Sequence, residues 1–176
     1  MTMAVPKIML RVEEPDWDDL SVRAHREIAR NSYAAVGKFW VEKYLPDHFQ
    51  PYSGAKYGYQ PRTKKYLQRK RALAARGLVR DGGAVDLVFS GRSRQMLLRP
   101  ALIRAYPTRV TLDFDAPDYF TIRFNPRGRG RRQPDKMDEL SRTIPSQERH
   151  LADVLHETAA AQIAAYRGQR KQTIKG

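Results

Sequence analysis

Between His48 and Arg80 the chain carries nine basic side chains, Lys56, Arg62, Lys64, Lys65, Arg69, Lys70, Arg71, Arg76 and Arg80, and no acidic one. Cations at this density are the groups that hold phosphate oxygens, and Tyr52, Tyr57, Tyr59 and Tyr66 are interleaved with them as stacking or packing groups. A solvated helix face is the plain alternative, but so many like charges without a compensating acid exceed ordinary surface mixing. We therefore expect Arg62, Lys64, Lys65, Arg69, Lys70 and Arg71 to face a polyanion. A second cluster, Arg127, Arg129, Arg131 and Arg132, is assigned to the same role, although Arg-Gly runs also occur in solvated loops. A third, Arg167, Arg170, Lys171 and Lys175, lies in the tail. No helix-turn-helix, zinc finger or RNA-recognition motif accompanies them, so the expected contact is with the phosphate backbone.

Other chemistry finds little support in the residue pattern. The four histidines, His25, His48, His150 and His156, are scattered without metal-ligand spacing and read as surface residues. Pro117-Asp118 and Pro134-Asp135 have the opening of a metal-dependent nuclease site. Neither is followed by a strand bearing an acid, one spacer and a lysine, so metal and attacking water lack a holder. Asp113 and Asp115 share a strand face as a conceivable cation pair, and the solvated side of an amphipathic strand is the better reading. No G-x-S-x-G elbow, P-loop or dinucleotide fingerprint follows a strand. The expectation is a protein that is not an enzyme, with no cofactor and no metal.

Composition sets the frame. In 176 residues, 33 Lys plus Arg against 19 Asp plus Glu give a formal net charge of +14, and there is no cysteine. That length can bury a core without crosslinks or metals, and disulfides and thiolate zinc sites are excluded. No apolar run reaches the roughly 20 residues of a membrane span, and Met1–Leu20 lacks the pattern of a signal peptide. We expect a single domain over residues 1–176, in solution, with no membrane partner. Acid is concentrated in Glu13, Glu14, Asp16, Asp18 and Asp19, which polarises the sequence.

The elements that position these groups read as α+β. Helical spacing of Leu20, Ala24, Ile28, Ala35 and Phe39 predicts a long helix from about Asp18 to Tyr44, capped by its acids and stopped at Pro46. The Pro, Gly and Tyr of residues 48–62 predict an irregular ordered loop. Thr63 then caps a helix over Lys64–Arg76, with a narrow stripe of Tyr66, Leu67, Leu73 and Ala74, and Gly77 closes it. Ala84–Ser90 alternates as a strand; Arg92–Leu98 is open between helix and strand. Arg109–Asn125 predicts a hairpin about Ala116-Pro117-Asp118, with Phe114 facing Phe120, Leu112 facing Ile122 and Val110 facing Phe124. Residues 126–134 read as a mobile basic loop. A last helix from near Ser146, with Leu151, Leu155, Ala159 and Ile163 on one face, is expected to end at Gly168 and fray over residues 168–176. The architecture expected is an antiparallel β-sheet packed against the long N-terminal helix and the C-terminal helix, with Ile28, Phe39, Leu151 and Leu155 covering its apolar face.

At Leu87-Val88-Phe89-Ser90-Gly91-Arg92-Ser93-Arg94, behind a basic helix and ahead of β-strands, the sequence resembles tailed-phage virion-morphogenesis and tail-completion (head-tail joining) proteins. The parts that carry the resemblance are the long first helix, Ser90-Gly91 with Arg94 close behind, the β region, and Ile144-Pro145 before the last helix. Ser93 stands where the family has an apolar residue, and the Tyr- and Lys-rich insertion before the motif is longer than in the family. The resemblance implies a virion protein made in a bacterial host cytoplasm, at the head-tail junction or tail end, which forms a ring through which DNA passes. Its implied partners are itself, sixfold favoured over twelvefold, neighbouring connector or tail proteins, and the DNA backbone without sequence preference. A stand-alone, sequence-nonspecific nucleic-acid-binding protein is the alternative.

Overall fold

The computed structural model describes residues 7–11, 20–79, 92–99, 102–114 and 136–173. Ser21 opens the first helix: its backbone is extended and its hydroxyl accepts from the Ala24 N–H at 3.3 Å, satisfying one of the orphan amides of a helix start. α1 then spans Val22–Phe39 with no acid in its first turn. It starts later than expected and is capped by a serine hydroxyl; Asp18 and Asp19 lie outside the described residues. The chain widens into a π turn at Trp40–Tyr44 and tightens into a 3-10 turn at Leu45–Phe49, with Pro46 near the start of the latter. Proline lacks the N–H that the α pattern needs, so the helix stops where the sequence indicates.

A short helix, α2 (Ser53–Lys56), stands inside the Tyr- and Gly-rich loop. Thr63 caps α3 (Lys64–Ala75), its hydroxyl accepting from the Tyr66 N–H at 3.2 Å, and Gly77 closes it at φ +71°. Both signals act as expected. The open segment resolves as α4, Arg92–Leu97.

Three strands, β1 (Lys7–Leu10), β2 (Leu102–Tyr106) and β3 (Arg109–Asp113), form an antiparallel sheet in the order β1-β3-β2. The hairpin is therefore β2–β3, turning at Pro107-Thr108. β3 thus has β1 and β2 as its neighbours, whereas the expected cross-strand partners Phe120, Ile122 and Phe124 are not among the described residues. The arm Tyr119–Asn125 lies outside the described residues. β2 is inconspicuous in the sequence because its alternation is weak, with half-buried Ile103 and Ala105 between exposed Leu102, Arg104 and Tyr106.

α5 is Lys136–Ser141, and α6 runs from Pro145 to Thr173, opening on a proline at the position where a missing N–H matters least. α6 passes through Gly168 rather than ending there. One exposed glycine costs a helix about 1 kcal/mol, which its Ala, Gln, Arg and Lys neighbours offset. Among the described residues no helix is long and apolar enough to cross a membrane.

The chain forms two compact units. One holds α1, most of the β2–β3 hairpin and α6. Here α1 and α6 pack together, burying Ala24, Ile28, Tyr33 and Val36 on one side and Leu151, Leu155 and Ala159 on the other. α1 also presses on the sheet: a Cβ on Gly37 would stand 2.8 Å from Val110 Cγ2, 3.1 Å from Ile103 Cγ2 and 3.2 Å from Leu112 Cδ2. The absence of a side chain at Gly37 is what lets helix and sheet approach. Phe39 is half-buried, with its ring 4.8 Å from His150 in an edge contact. Asn31 donates to Gln162 at 3.2 Å across the same helix pair. The expected α+β class holds, with an antiparallel sheet, a long N-terminal helix against it and a C-terminal helix packed on that helix.

Candidate nucleic-acid interface

The second unit contains the basic stretch, and its core explains which of those cations are available. His48 is fully buried, so its reading as a surface residue is overturned. Its ring stacks on Tyr57 at 3.9 Å between centroids, and Nδ1 lies 2.5 Å from the Tyr59 hydroxyl. Burial pushes the His48 imidazole down to about 4, although Asp47 favours the cation. Tyr57 and Tyr59 are thus packing groups, whereas Tyr52 is exposed.

Around this stack, three of the nine cations are occupied. Lys56 forms an ion pair with Asp47 at 2.7 Å and sits over the rings of Tyr52 and Tyr57. That hydrogen bond to Asp47 holds the Lys56 ammonium above the usual lysine range. Arg62 is turned inward, its Nη1 and Nη2 donating to Oε1 and Oε2 of Glu139 at 3.1 and 2.5 Å. Its side chain is 8% exposed and that of Glu139 is 1% exposed. The Gln60 N–H also donates to Glu139 Oε1, at 3.1 Å. A carboxylate so buried needs a forked cation and further donors. Arg62 therefore does not face a polyanion, contrary to expectation. Nearby, burial pushes the Lys136 ammonium below the usual lysine range, as does the charge of Arg62, with Glu139 opposing. Arg142 fixes the turn above them, donating to the carbonyls of Gly58 and Tyr57 and to Asp138. Gly58 holds φ +60° there.

Lys70 is the third exception and a second correction, being 1% exposed. At about 100° per residue it falls in the middle of the stripe formed by Tyr66, Leu67, Leu73 and Ala74. Its four-carbon stem completes the inward face of α3 and its ammonium is removed from solvent.

What remains outward on α3 is Lys64, Lys65, Arg69 and Arg71, joined by Arg76 at the helix end, all exposed. Among the described residues none of the five has an ion-pair or hydrogen-bond partner through its side chain. Lys64, Lys65, Arg69 and Arg71, of those assigned to a polyanion, are thus on the surface, and Arg76 is an addition that helical spacing alone supplies. Arg127, Arg129, Arg131 and Arg132 lie outside the described residues, as do Ser90 and Gly91. Arg94 is on α4 and half-buried. Asp113 is buried at the end of β3, and Asp115 lies outside the described residues.

The arrangement can neutralise a row of anionic oxygens without covalent chemistry. No family model, curated protein or solved structure matches the chain.

Proposed function

We propose that this chain is a non-catalytic structural protein of a tailed-phage particle, at the head-tail junction or tail end, that meets the DNA backbone through the outward face of α3. The observation that carries the DNA contact is the five exposed cations on one helix face with no acid among them. The order of elements supports the phage assignment: α1, a basic α3, Arg94 on α4, the β2–β3 hairpin, and Ile144-Pro145 leading into α6. In this reading the chain assembles as a homo-oligomeric ring, sixfold before twelvefold, beside connector or tail proteins. A ring multiplies the charge of α3, and the self-repulsion is offset by DNA in the lumen. Phosphate contact without base-reading elements gives binding that falls steeply with salt.

The test combines mass in solution, imaging of purified particles, and a variant with Lys64→Glu, Arg69→Glu and Arg71→Glu. The variant spares Lys70, whose burial would confuse a folding defect with a binding one. A ring in the particle, with α3 toward the lumen and assembly lost in the variant, supports the reading. Normal infectious particles from the variant, with α3 in bulk solvent, sink it. A monomer that still binds DNA tightly moves the assignment to a stand-alone nucleic-acid-binding protein, which the same helix face would serve.

A further inference from the structure

Resting on the reading of α3 as a DNA-contacting face, we infer that α3 straddles a groove of B-form duplex DNA and touches the phosphates of both strands. Its exposed cations are not spread evenly. At about 100° per residue, Lys64 and Arg71 form one row, and Lys65, Arg69 and Arg76 form a second roughly 130° away around the axis. Between the rows lie Gln68, Ala72 and Ala75, all exposed and none charged. Both rows face outward, because Lys70, 1% exposed, and the half-buried Tyr66, Leu67, Leu73 and Ala74 form the inner side of the helix opposite the strip between them.

On a cylinder of about 12 Å diameter, rows so placed stand roughly 11 Å apart, and more where the side chains extend. The major groove of B-DNA is about 12 Å wide and admits an α-helix. A helix lying along it would set one row against each strand, with the uncharged strip toward the floor of the groove. A single strand offers one line of phosphates and engages one row only. The major groove of duplex RNA is deep and narrow, and closes to a helix of this width. The geometry therefore selects duplex DNA among nucleic acids, through shape and charge.

The experiment measures binding of the full chain, against salt, to a short DNA duplex, a DNA single strand of the same length and an RNA duplex. Wild type should prefer the DNA duplex by about tenfold or more over the other two. Neutralising one row with Lys64→Gln and Arg71→Gln should lower the duplex slope of log affinity against log salt by about 1.8, leaving the single-strand slope unchanged. Ala72→Glu, at an exposed site where glutamate is a good helix former, should weaken duplex binding about tenfold with helix content intact by circular dichroism. Equal binding to duplex and single strand, a preference for the RNA duplex, or equal effects of the variants on both DNA forms would overturn the groove inference while leaving phosphate binding in place. Absence of salt-dependent binding to all three nucleic acids would instead overturn the underlying reading of α3.

Discussion

In the unit built by α1, the hairpin and α6, the buried side chains are chiefly apolar, from Ile28, Tyr33 and Val36 to Val110, Leu112, Leu151 and Leu155. In the other unit the interior also holds an imidazole, a carboxylate paired with a guanidinium, and a lysine: His48, Glu139 with Arg62, and Lys70. Apolar packing tolerates small shape changes, whereas a buried charge depends on one partner in one geometry. The second unit should therefore be brittle where the first is forgiving, and that brittleness holds the outward face of α3 in place. The basic stretch is accordingly two populations, cations paired or buried by the fold and cations left exposed to solvent.

The largest expected effect tests the buried pair. Glu139→Ala leaves the Arg62 guanidinium buried without its carboxylate and should destabilise the fold by about 3–5 kcal/mol in chemical denaturation. Replacing both partners, Arg62→Met with Glu139→Leu, should restore most of that stability. If Glu139→Ala unfolds at wild-type denaturant concentration, the contrast between the two units collapses.

Next comes acid. The folded His48 has its pKa at about 4, below the ordinary value of 6.5, so between those limits the unfolded chain binds a proton that the folded chain does not. Stability should be full above about pH 6.5 and fall as pH drops toward 4, by on the order of 3 kcal/mol from this one group. His48→Phe keeps an aromatic ring for Tyr57 and should flatten that part of the stability profile. A profile equally steep in the variant would show that other groups carry the acid sensitivity.

The two units also differ in how far their sequences disclose them. Caps and stops are local, so Thr63, Gly77 and Pro46 are legible directly, and the buried face of α6 follows from spacing, whereas on α1 Ala24 and Ile28 are buried as expected but Ala35 and Phe39 are half-buried and Tyr33 and Val36 take the inner positions. The burial of Lys70 is legible in principle, since it completes the column of Tyr66 and Leu73, but its charge argues for the surface and masks its position. The bond between Arg62 and Glu139 joins residues 77 apart in sequence, and nothing local at either end announces it. Weak alternation hides β2, the strand that precedes β3 and pairs with it. Of the six cations assigned to the stretch, Lys64, Lys65, Arg69 and Arg71 remain outward, and the fold itself takes Arg62 and Lys70.

Gly37 probes the forgiving unit. Gly37→Ala gains helix propensity of about 1 kcal/mol but sets a methyl group against Val110, Ile103 and Leu112, an overpacking that costs about 1–3 kcal/mol. The net destabilisation should be on the order of 1 kcal/mol, visible as a lower thermal midpoint. A stabilised Gly37→Ala variant would mean that helix and sheet separate easily, and that this unit is looser than its apolar packing implies.

The smallest effect on stability separates the free cations from the spent ones most cleanly. Lys64 and Lys65 occupy the first turn of α3, where the positive end of the helix dipole disfavours them, and no acid stands beside them there. Lys64→Glu and Lys65→Glu should each stabilise the fold by about 0.3–1 kcal/mol at low salt, the opposite sign to Glu139→Ala. The same substitutions should weaken DNA binding and lower the slope of log affinity against log salt by about 0.9 for each phosphate no longer neutralised. Opposed signs are the mark of a surface kept for a ligand at the expense of the fold. If both variants raise the thermal midpoint and leave DNA binding unchanged, the outward face of α3 is only a solvated surface, and the division of the basic stretch into spent and available cations has no functional content.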